Sequence, residues 1–271
     1  MKPLIDADIL VYEIGSVGQD EDGPKSFDFV QMILDGRIED ICEAAGGSEP
    51  PTLYLTGDTN FRDTIAVTKP YKGNRDNVEK PYHTKNIIAY LKNQYDTVVV
   101  EGMEADDQMC IDQEEREQQA CYLEAHPEVC YGEIPERTII CTRDKDLRMM
   151  PGWHYGWECG KQREFGPQHV TPEGELHLDD KGKLKGTGMS FFYSQLITGD
   201  STDNIPGLPR CGDKAAWTTL GGLPTNQMFS AVCELYQKKG KDPDYLLEQG
   251  RLLWMVRELD EHGDPVMWEI P

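Results

Sequence analysis

The chain lacks long apolar segments and is poor in positive charge. No hydrophobic run approaches the roughly 18 residues of a membrane-spanning helix, and Met1–Asp6 contains no apolar segment of a secretory signal. Lys and Arg total 27 against 49 Asp and Glu, which gives a formal net charge of −22. This balance excludes a polybasic DNA coat and a basic membrane-surface protein. We therefore expect a cytoplasmic protein with no membrane partner.

Cysteine pairs with metal-binding spacing are also missing. None of the eight cysteines forms a CxxC pair, and a chain of 271 residues is large enough to bury a core without disulfides. We expect reduced thiols. The length suits one large domain with an appendage or two small domains.

Short β-branched segments alternate with helical patterns over the first two thirds of the chain. Strands are predicted at 3–5, 52–56, 97–100 and 137–142, and helices at about 26–45, 84–94 and 105–124. This alternation predicts an α/β fold with a parallel central sheet flanked by helices.

The pattern changes after about residue 150. We predict a strand at 153–158, an irregular hairpin at 160–188 and helices at 189–197, 213–220, 225–238 and 242–259, with a Pro/Gly loop at 205–212. The chain is therefore divided into an α/β core at 1–188 and a helical region at 189–271.

Acidic residues follow four of the predicted strands. The groups are Asp6 with Asp8; Asp58; Glu104 with Asp106 and Asp107; and Asp144 with Asp146. Because the carboxyl ends of parallel strands share one edge of a sheet, these groups are expected to meet. A fifth pair, Asp200 and Asp203, precedes the Pro/Gly loop.

So many converging carboxylates cannot all remain charged without cations. Oxygen-only ligands suit Mg²⁺ or Mn²⁺, and two such ions about 4 Å apart can activate a water and stabilise the leaving oxygen of a phosphodiester. A single Asp at a strand end is more often a helix cap or a solvated loop residue. The five groups together favour a two-metal site.

Basic residues cluster between the second strand and the next helix. Arg62, Lys69, Lys72, Arg75 and Lys80 surround Tyr71, a combination that suits phosphates and a stacked base. The alternative is a solvated loop that balances nearby acids. Further along, Gly207 and Gly212 flank Arg210 before a helix whose free N–H groups could hold a phosphate, although a short Gly/Pro turn is also ordinary architecture.

Together these segments resemble the flap-endonuclease-like 5′ nuclease superfamily, which includes bacteriophage 5′→3′ exonucleases and the nuclease domain of bacterial DNA polymerase I. The matching segments occur in the family order from residue 4 to about 216. They are Leu4-Ile5-Asp6-Ala7, Gly57-Asp58 with Phe61-Arg62, Tyr71-Lys72-Gly73-Asn74-Arg75, Glu104-Ala105-Asp106-Asp107, Asp144-Lys145-Asp146-Leu147 and Gly199-Asp200-Ser201-Thr202-Asp203-Asn204-Ile205-Pro206-Gly207.

The resemblance implies a PIN-like nuclease core followed by a helix-three-turn-helix, and a metal-dependent 5′→3′ exonuclease or flap-endonuclease-like hydrolase. It assigns Asp6, Asp58, Glu104, Asp106 and Asp144 to a first metal ion and Asp146, Asp200 and Asp203 to a second. Asp107 is either a further ligand or a support for the helix start. Lys72 and Arg75 act at the scissile phosphate, with Asp144 and Asp146 as catalytic carboxylates.

The resemblance also implies the partners. Double-stranded or branched DNA with 5′ ends is the expected substrate, with an RNA–DNA hybrid as a further candidate and replication proteins as companions in phage replication or recombination. Tyr71 stacks on a terminal base, and Arg62 and Lys69 contact DNA. The helix-three-turn-helix, with Gly207, Arg210, Gly212 and Lys214, grips the duplex backbone, often with a K⁺ ion. The family usually has glycine at the position of Arg210.

Two other functions fit parts of the sequence. Asp6-Ala7-Asp8 fits the nucleophile and acid of a haloacid-dehalogenase-like phosphatase, which forms an aspartyl-phosphate. A non-catalytic acidic DNA mimic or binding protein would also be strongly negative, although its acids would spread over one face.

Overall fold

The computed structural model describes residues 1–75, 79–126, 128 and 134–271, so Cys130 lies outside the described residues. The chain forms two compact units that interleave along the sequence. The first unit is Met1–Thr59, Val78–Asp144 and Gly152–His169; the second is Asn60–Asn77, Lys145–Pro151 and Val170–Pro271. The functional division at residue 188 stays a prediction. None of the described helices has the length and apolarity needed to cross a membrane.

Six strands form the sheet of the first unit, and two short pairs lie outside it. The strands, in chain order, are β1 (Lys2–Asp6), β2 (Gln19–Asp20), β3 (Gly23–Pro24), β4 (Thr52–Asn60), β5 (Asp96–Gly102), β6 (Thr138–Cys141), β7 (Gly152–Gly156), β8 (Phe165–Val170), β9 (Leu176–Leu178) and β10 (Leu184–Gly186). The main sheet has the order β5-β4-β1-β6-β7-β8. β1 pairs in parallel with β4 and β6, and β6 pairs in parallel with β7. The predicted parallel central sheet is confirmed.

Helices flank this sheet and are the main secondary-structure elements of the second unit. They are α1 (Ala7–Val17), α2 (Phe27–Ala44), α3 (Arg62–Ile65), α4 (Thr84–Gln94), α5 (Ala105–Ala125), α6 (Gly188–Thr198), α7 (Asp213–Leu220), α8 (Thr225–Lys238) and α9 (Pro243–Leu253), with a 3₁₀ turn at Asp146–Met149. The predicted C-terminal helical region is therefore present.

The core of the first unit lies between the sheet and the helices α1 and α2. Ile5, Leu53 and Ile139 from three neighbouring strands are fully buried against Leu10 of α1 and Leu34 of α2. Burial of each such side chain stabilises the fold by about 1.5–3 kcal/mol. This packing fixes the strands whose ends carry the acidic residues.

The structure differs from the sequence-based prediction at one helix and at two element boundaries. α1 was not predicted, although Leu10, Val11 and Ile14 are buried on one of its faces directly after β1. The last helix ends at Leu253 instead of residue 259: Trp254 is extended, with a ψ of 128°, and the Leu252 carbonyl accepts a hydrogen bond from Arg62. β4 is longer than predicted, and it includes Asp58 instead of ending before it.

Candidate functional site

Asp6 ends β1 and is buried, at 2% exposed. One carboxylate oxygen accepts a hydrogen bond from the Ile9 N–H at 3.2 Å and thereby caps α1. The other accepts from the Thr142 hydroxyl at 2.8 Å. Burial raises the pKa of the Asp6 carboxyl to about 7, and the negative charges of Asp8 and Asp144 add to the increase. A cation beside this group would relieve the repulsion that raises its pKa.

Hydrogen bonds hold the ends of three parallel strands at this edge of the sheet. The Thr142 hydroxyl that donates to Asp6 also accepts from the Asp144 N–H at 3.0 Å, so it joins the ends of β1 and β6. Asp8 accepts from the Thr56 N–H of β4 at 3.0 Å. The convergence expected from strand order is therefore present for these acids. Sequence reasoning missed Thr142, because a threonine at the end of a strand carries no signal of its own.

Asp58 is exposed near the end of β4, beside a carboxylate that sequence reasoning also missed. Glu101 of β5 accepts from the Asp58 N–H at 3.1 Å and from the Thr59 hydroxyl at 3.2 Å. A Cβ at Gly57 would lie 2.3 Å from the Glu101 carboxylate, so a larger residue there would displace this side chain. Glu101 directly follows an apolar strand segment, the same signal that identified the other acids.

The Glu-Ala-Asp-Asp segment forms the start of α5. Glu104 and Asp107 make a reciprocal capping box, in which the Asp107 carboxylate accepts from the Glu104 N–H at 3.1 Å. Asp107 is fully buried, and Asp106 is half-buried beside it. Of the two roles considered for Asp107, the structure displays the one that supports the helix start.

The second unit brings together Asp146 and Asp200, which are 54 residues apart in sequence. The Lys145 ammonium lies 2.8 Å from Asp146 and also hydrogen-bonds to Asp200. Burial lowers the pKa of Lys145, but the charges of the two carboxylates outweigh it and raise the pKa above its usual value. Burial would likewise raise the pKa of Asp200, but the Lys145 charge holds it below its ordinary value. The Gln195 side chain of α6 donates to Asp146 at 2.5 Å.

Asp203 lies among cationic side chains of the segment 70–75. Arg75 contacts its carboxylate at 2.6 Å, the Tyr71 hydroxyl donates to it at 3.0 Å, and the Lys72 ammonium is 4.0 Å away. The Lys72 N–H donates to the Asp203 carbonyl at 3.0 Å, and Asn204 donates to the Pro70 carbonyl at 2.8 Å. The predicted phosphate-binding segment is thus fastened to the loop that carries two predicted metal ligands.

The loop itself is closed by paired backbone hydrogen bonds between Asp200 and Ile205, at 2.9 and 2.7 Å. Gly199 and Gly207 have φ values of +66° and +56°, and a Cβ on Gly207 would lie 2.2 Å from the Gly199 nitrogen. These glycines therefore permit the close crossing of the chain at the base of the loop. This requirement explains their spacing in the motif.

Two predicted DNA contacts are at odds with the structure. Arg62 is 0% exposed, and its guanidinium donates to the carbonyl groups of Leu252 at 3.1 Å and Trp254 at 2.6 Å. It ties α3 to the end of α9 and is not placed to reach a phosphate. Tyr71 is 8% exposed, which leaves little ring surface for a terminal base. Lys69 and Arg75 are exposed, and their contacts with DNA stay a prediction.

A basic pocket of about 730 Å³ surrounds the start of α7. Its lining includes the predicted residues Arg210, Gly212 and Lys214 together with Lys238 and Lys239 from the end of α8. Arg210 is exposed and has a φ of +62°, the left-handed region that favours glycine. The α8 lysines were missed because only the packing of α7 against α8 brings them to this surface.

The predicted metal ligands fall into two groups. Asp6, Asp58, Glu104, Asp106, Asp107 and Asp144 belong to the first unit, and Asp146, Asp200 and Asp203 belong to the second. Within residues 1–75, 79–126, 128 and 134–271, no three His, Cys, Asp or Glu side chains form an arrangement that would hold a metal ion. Magnesium commonly uses only one or two carboxylates, with water and substrate phosphates completing its shell. The oxygen-only donors and the raised pKa of Asp6 fit such an ion.

Comparison with solved structures identifies the fold. A bacteriophage T5 flap endonuclease in a complex with DNA and metal ions aligns with a TM-score of 0.56 at 15% identity, covering 93% of this chain and 88% of that one. The T5 5′-exonuclease with bound zinc ions aligns with a TM-score of 0.58 at 16% identity over the same shares. A mutant of that exonuclease aligns with a TM-score of 0.55 at 14% identity, covering 93% of this chain and 86% of that one. No family model matches the sequence, and neither does any curated protein.

The chain therefore has the flap-endonuclease-like 5′ nuclease fold. The fold inferred from the motif resemblance is confirmed. The residue roles that this resemblance implies remain to be tested by experiment.

Proposed function

We propose that the protein is a divalent-metal-dependent 5′ nuclease that hydrolyses DNA phosphodiesters from 5′ ends and releases 5′-phosphate products. The observation that carries this proposal is Asp6, whose burial and carboxylate neighbours Asp8 and Asp144 raise its pKa to about 7 at the shared edge of parallel strands. A cation beside these carboxylates would favour their charged forms and offset their mutual repulsion.

Two divalent ions, Mg²⁺ or Mn²⁺, are the proposed cofactors. The first would be held by Asp6, Asp58, Glu104, Asp106 and Asp144, partly through water, and the second by Asp146, Asp200 and Asp203. When bound, such ions supply charge neutralisation and an activated water. The carboxylates supply the charge, and the Thr142 hydroxyl bonds to both the Asp6 carboxylate and the Asp144 N–H.

Lys72 and Arg75 would orient the scissile phosphate. Arg75 presents a planar guanidinium suited to bidentate phosphate contacts, and its pairing with Asp203 sets its direction before substrate arrives. Lys72 has a φ of +51° and is held by its backbone bond to Asp203, which fixes the start of its side chain. Because both contacts go to phosphate, base sequence should matter little.

The basic pocket around α7 would hold the duplex backbone. Arg210, Lys214, Lys238 and Lys239 concentrate positive charge on one surface of a chain whose net charge is −22. Binding that depends on such a local patch is strongly weakened by salt. A K⁺ ion at this turn, RNA–DNA hybrids as substrates, replication proteins as partners and a role in phage replication or recombination belong to the same proposal.

The test is a cleavage assay on 5′- and 3′-labelled nicked, flapped and blunt duplexes, with Mg²⁺, with Mn²⁺ and with EDTA. Short 5′-derived products with the metals and none with EDTA are expected, and Asp144→Asn is the inactive control. Uncut substrate at every protein concentration, with retained DNA binding, would favour a non-catalytic binder instead. Asp8→Asn should retain cleavage, whereas a phosphatase of the Asp-x-Asp type would lose turnover of a phosphomonoester almost completely.

A further inference from the structure

Lys145 occupies the space between two carboxylates of the second unit. Its ammonium bonds to Asp146 at 2.8 Å and to Asp200, so one positive charge is shared by two negative groups. The carboxylates come from the 3₁₀ turn and from the loop after α6. A salt bridge to one acid is common at protein surfaces, but a lysine held by two predicted metal ligands is in the place that a cation would take.

A buried amide beside the pair supports this interpretation. Gln195 is 2% exposed, and its Nε2 donates to Asp146 at 2.5 Å. Its Oε1 accepts no hydrogen bond from any described residue, although a buried oxygen normally has a partner. By amide geometry this oxygen lies within about 5 Å of the Asp146 carboxylate. A neutral amide oxygen near a carboxylate is a ligand that hard divalent ions accept.

We propose that Lys145 is the internal counter-ion of Asp146 and Asp200, and that a divalent cation binds this pair only by displacing the Lys145 ammonium. The identity of the competing cation rests on the proposed function. The position of Lys145 between the two carboxylates does not rest on the proposed function, because the structure shows it directly.

The two carboxylates are held more firmly than the lysine between them. Asp146 is fixed by Gln195, and the second oxygen of Asp200 accepts from the Thr202 N–H at 2.6 Å. The Lys145 side chain is 48% exposed and carries its charge on a flexible four-carbon stem. The carboxylates can therefore stay in place while the ammonium moves into solvent. This asymmetry makes Lys145 the exchangeable member of the cluster.

Competition of this kind weakens metal binding at the pair. The ammonium must give up its charge-assisted hydrogen bonds to Asp146 and Asp200 before the ion can take its place. We expect removal of the Lys145 charge to tighten Mn²⁺ binding by about tenfold. An ion at this pair would then bind well only when metal concentration is high or when substrate phosphate adds further ligands.

The experiment compares the parent with Lys145→Met, which keeps the length of the stem and removes the charge. Mn²⁺ binding is measured without DNA by isothermal titration calorimetry and by the loss of the free Mn²⁺ signal in electron paramagnetic resonance. Lys183→Met is the matched control, because Lys183 is exposed and lies 3.8 Å from Asp213. Tighter binding for Lys145→Met, unchanged binding for Lys183→Met and loss of the gain in Lys145→Met/Asp200→Asn are expected. Equal Mn²⁺ affinity for the parent and Lys145→Met would overturn the proposal.

A second measurement uses the parent alone and does not depend on how the variant folds. The ¹⁵N-labelled side-chain ammonium of Lys145, assigned by its absence in Lys145→Arg, is followed during a Mg²⁺ titration. Loss of its slow-exchanging, hydrogen-bonded signal as the ion binds is expected, and a signal that persists at saturating Mg²⁺ would refute displacement. Failure of the cleavage assay with an intact competition would reject the nuclease function and leave this inference standing.

Discussion

The Thr142 hydroxyl donates a 2.8 Å hydrogen bond to Asp6 across 136 residues of sequence, and it also accepts from the Asp144 N–H. One side chain thus fixes two acidic residues of neighbouring parallel strands. The pair defines the acidic edge of the first unit. It also keeps the Asp6 carboxyl where burial and the negative charges of Asp8 and Asp144 raise its pKa to about 7.

This raised pKa predicts a pH-dependent stability. The Asp6 carboxyl keeps its proton up to about pH 7 in the folded protein, whereas in the unfolded chain it loses it near the ordinary value of 3.8. Between these values the unfolded state binds fewer protons, so the free energy of unfolding falls as the pH rises. Asp6→Asn removes this loss. Between pH 4.5 and 7.5 in EDTA, the decrease in Tm should be smaller for Asp6→Asn than for the parent, by at least about 3 °C.

Exposed Asp40→Asn is the control for that measurement and should follow the parent. Thermal unfolding is recorded by circular dichroism at constant ionic strength. Parallel Tm curves for Asp6→Asn and the parent over this pH range would show that Asp6 does not couple stability to protonation.

Asp144→Asn and Asp203→Asn should both abolish turnover but differ in stability. Loss of a metal-binding carboxylate removes several kcal/mol of transition-state stabilisation, so cleavage should fall by more than about a hundredfold in each. Asp144→Asn relieves repulsion and should not lower the metal-free Tm. Asp203→Asn loses the ion pair with the half-exposed Arg75 and should lower it slightly, since such pairs contribute about 0–1 kcal/mol. Cleavage by either variant at the parent rate would remove that residue from the site.

Lys72→Ala should slow the chemical step more than it weakens DNA binding. The side chain is held near Asp203 and is proposed to meet the scissile phosphate, so the single-turnover rate should fall about ten- to a hundredfold. Lys69→Ala, in the same segment and exposed, is the matched control and should affect mainly affinity. Rapid-quench kinetics at saturating protein separates the two effects; an unchanged rate for Lys72→Ala would contradict its assignment.

Arg210→Gly should weaken duplex binding without a loss of stability. Glycine adopts the φ of +62° at this position more readily than arginine, by about 1 kcal/mol, so the Tm should equal or exceed the parent's. Removal of one phosphate contact should reduce the slope of log K against log salt by about 1. Arg210→Lys, which keeps the charge, should retain most of the affinity. Equal salt slopes for the parent and Arg210→Gly would show that Arg210 does not contact a phosphate of the duplex.

The sequence by itself determined the parallel sheet and the placement of acids at its edge. Asp6, Asp144 and the start of α5 follow apolar strands whose period and length are local properties, and strand ends of a parallel sheet share an edge whatever the details of packing. The helix bounds of α4, α7 and α8 follow from the same local patterns and were predicted as the structure has them. The glycines of the 199–207 loop were likewise visible in the sequence.

Only the tertiary structure decided what surrounds these residues. Arg62 looked like a phosphate ligand because its charge is local, but its burial depends on carbonyl groups 190 and 192 residues away. The sequence pattern assigned no role to Lys145, yet its ammonium bonds to both Asp146 and Asp200. Lys238 and Lys239 join Arg210 through helix packing alone. Charge and hydrophobic periodicity can be read from neighbouring residues. The burial of a side chain and its hydrogen-bond partners depend on chain segments that meet only after folding.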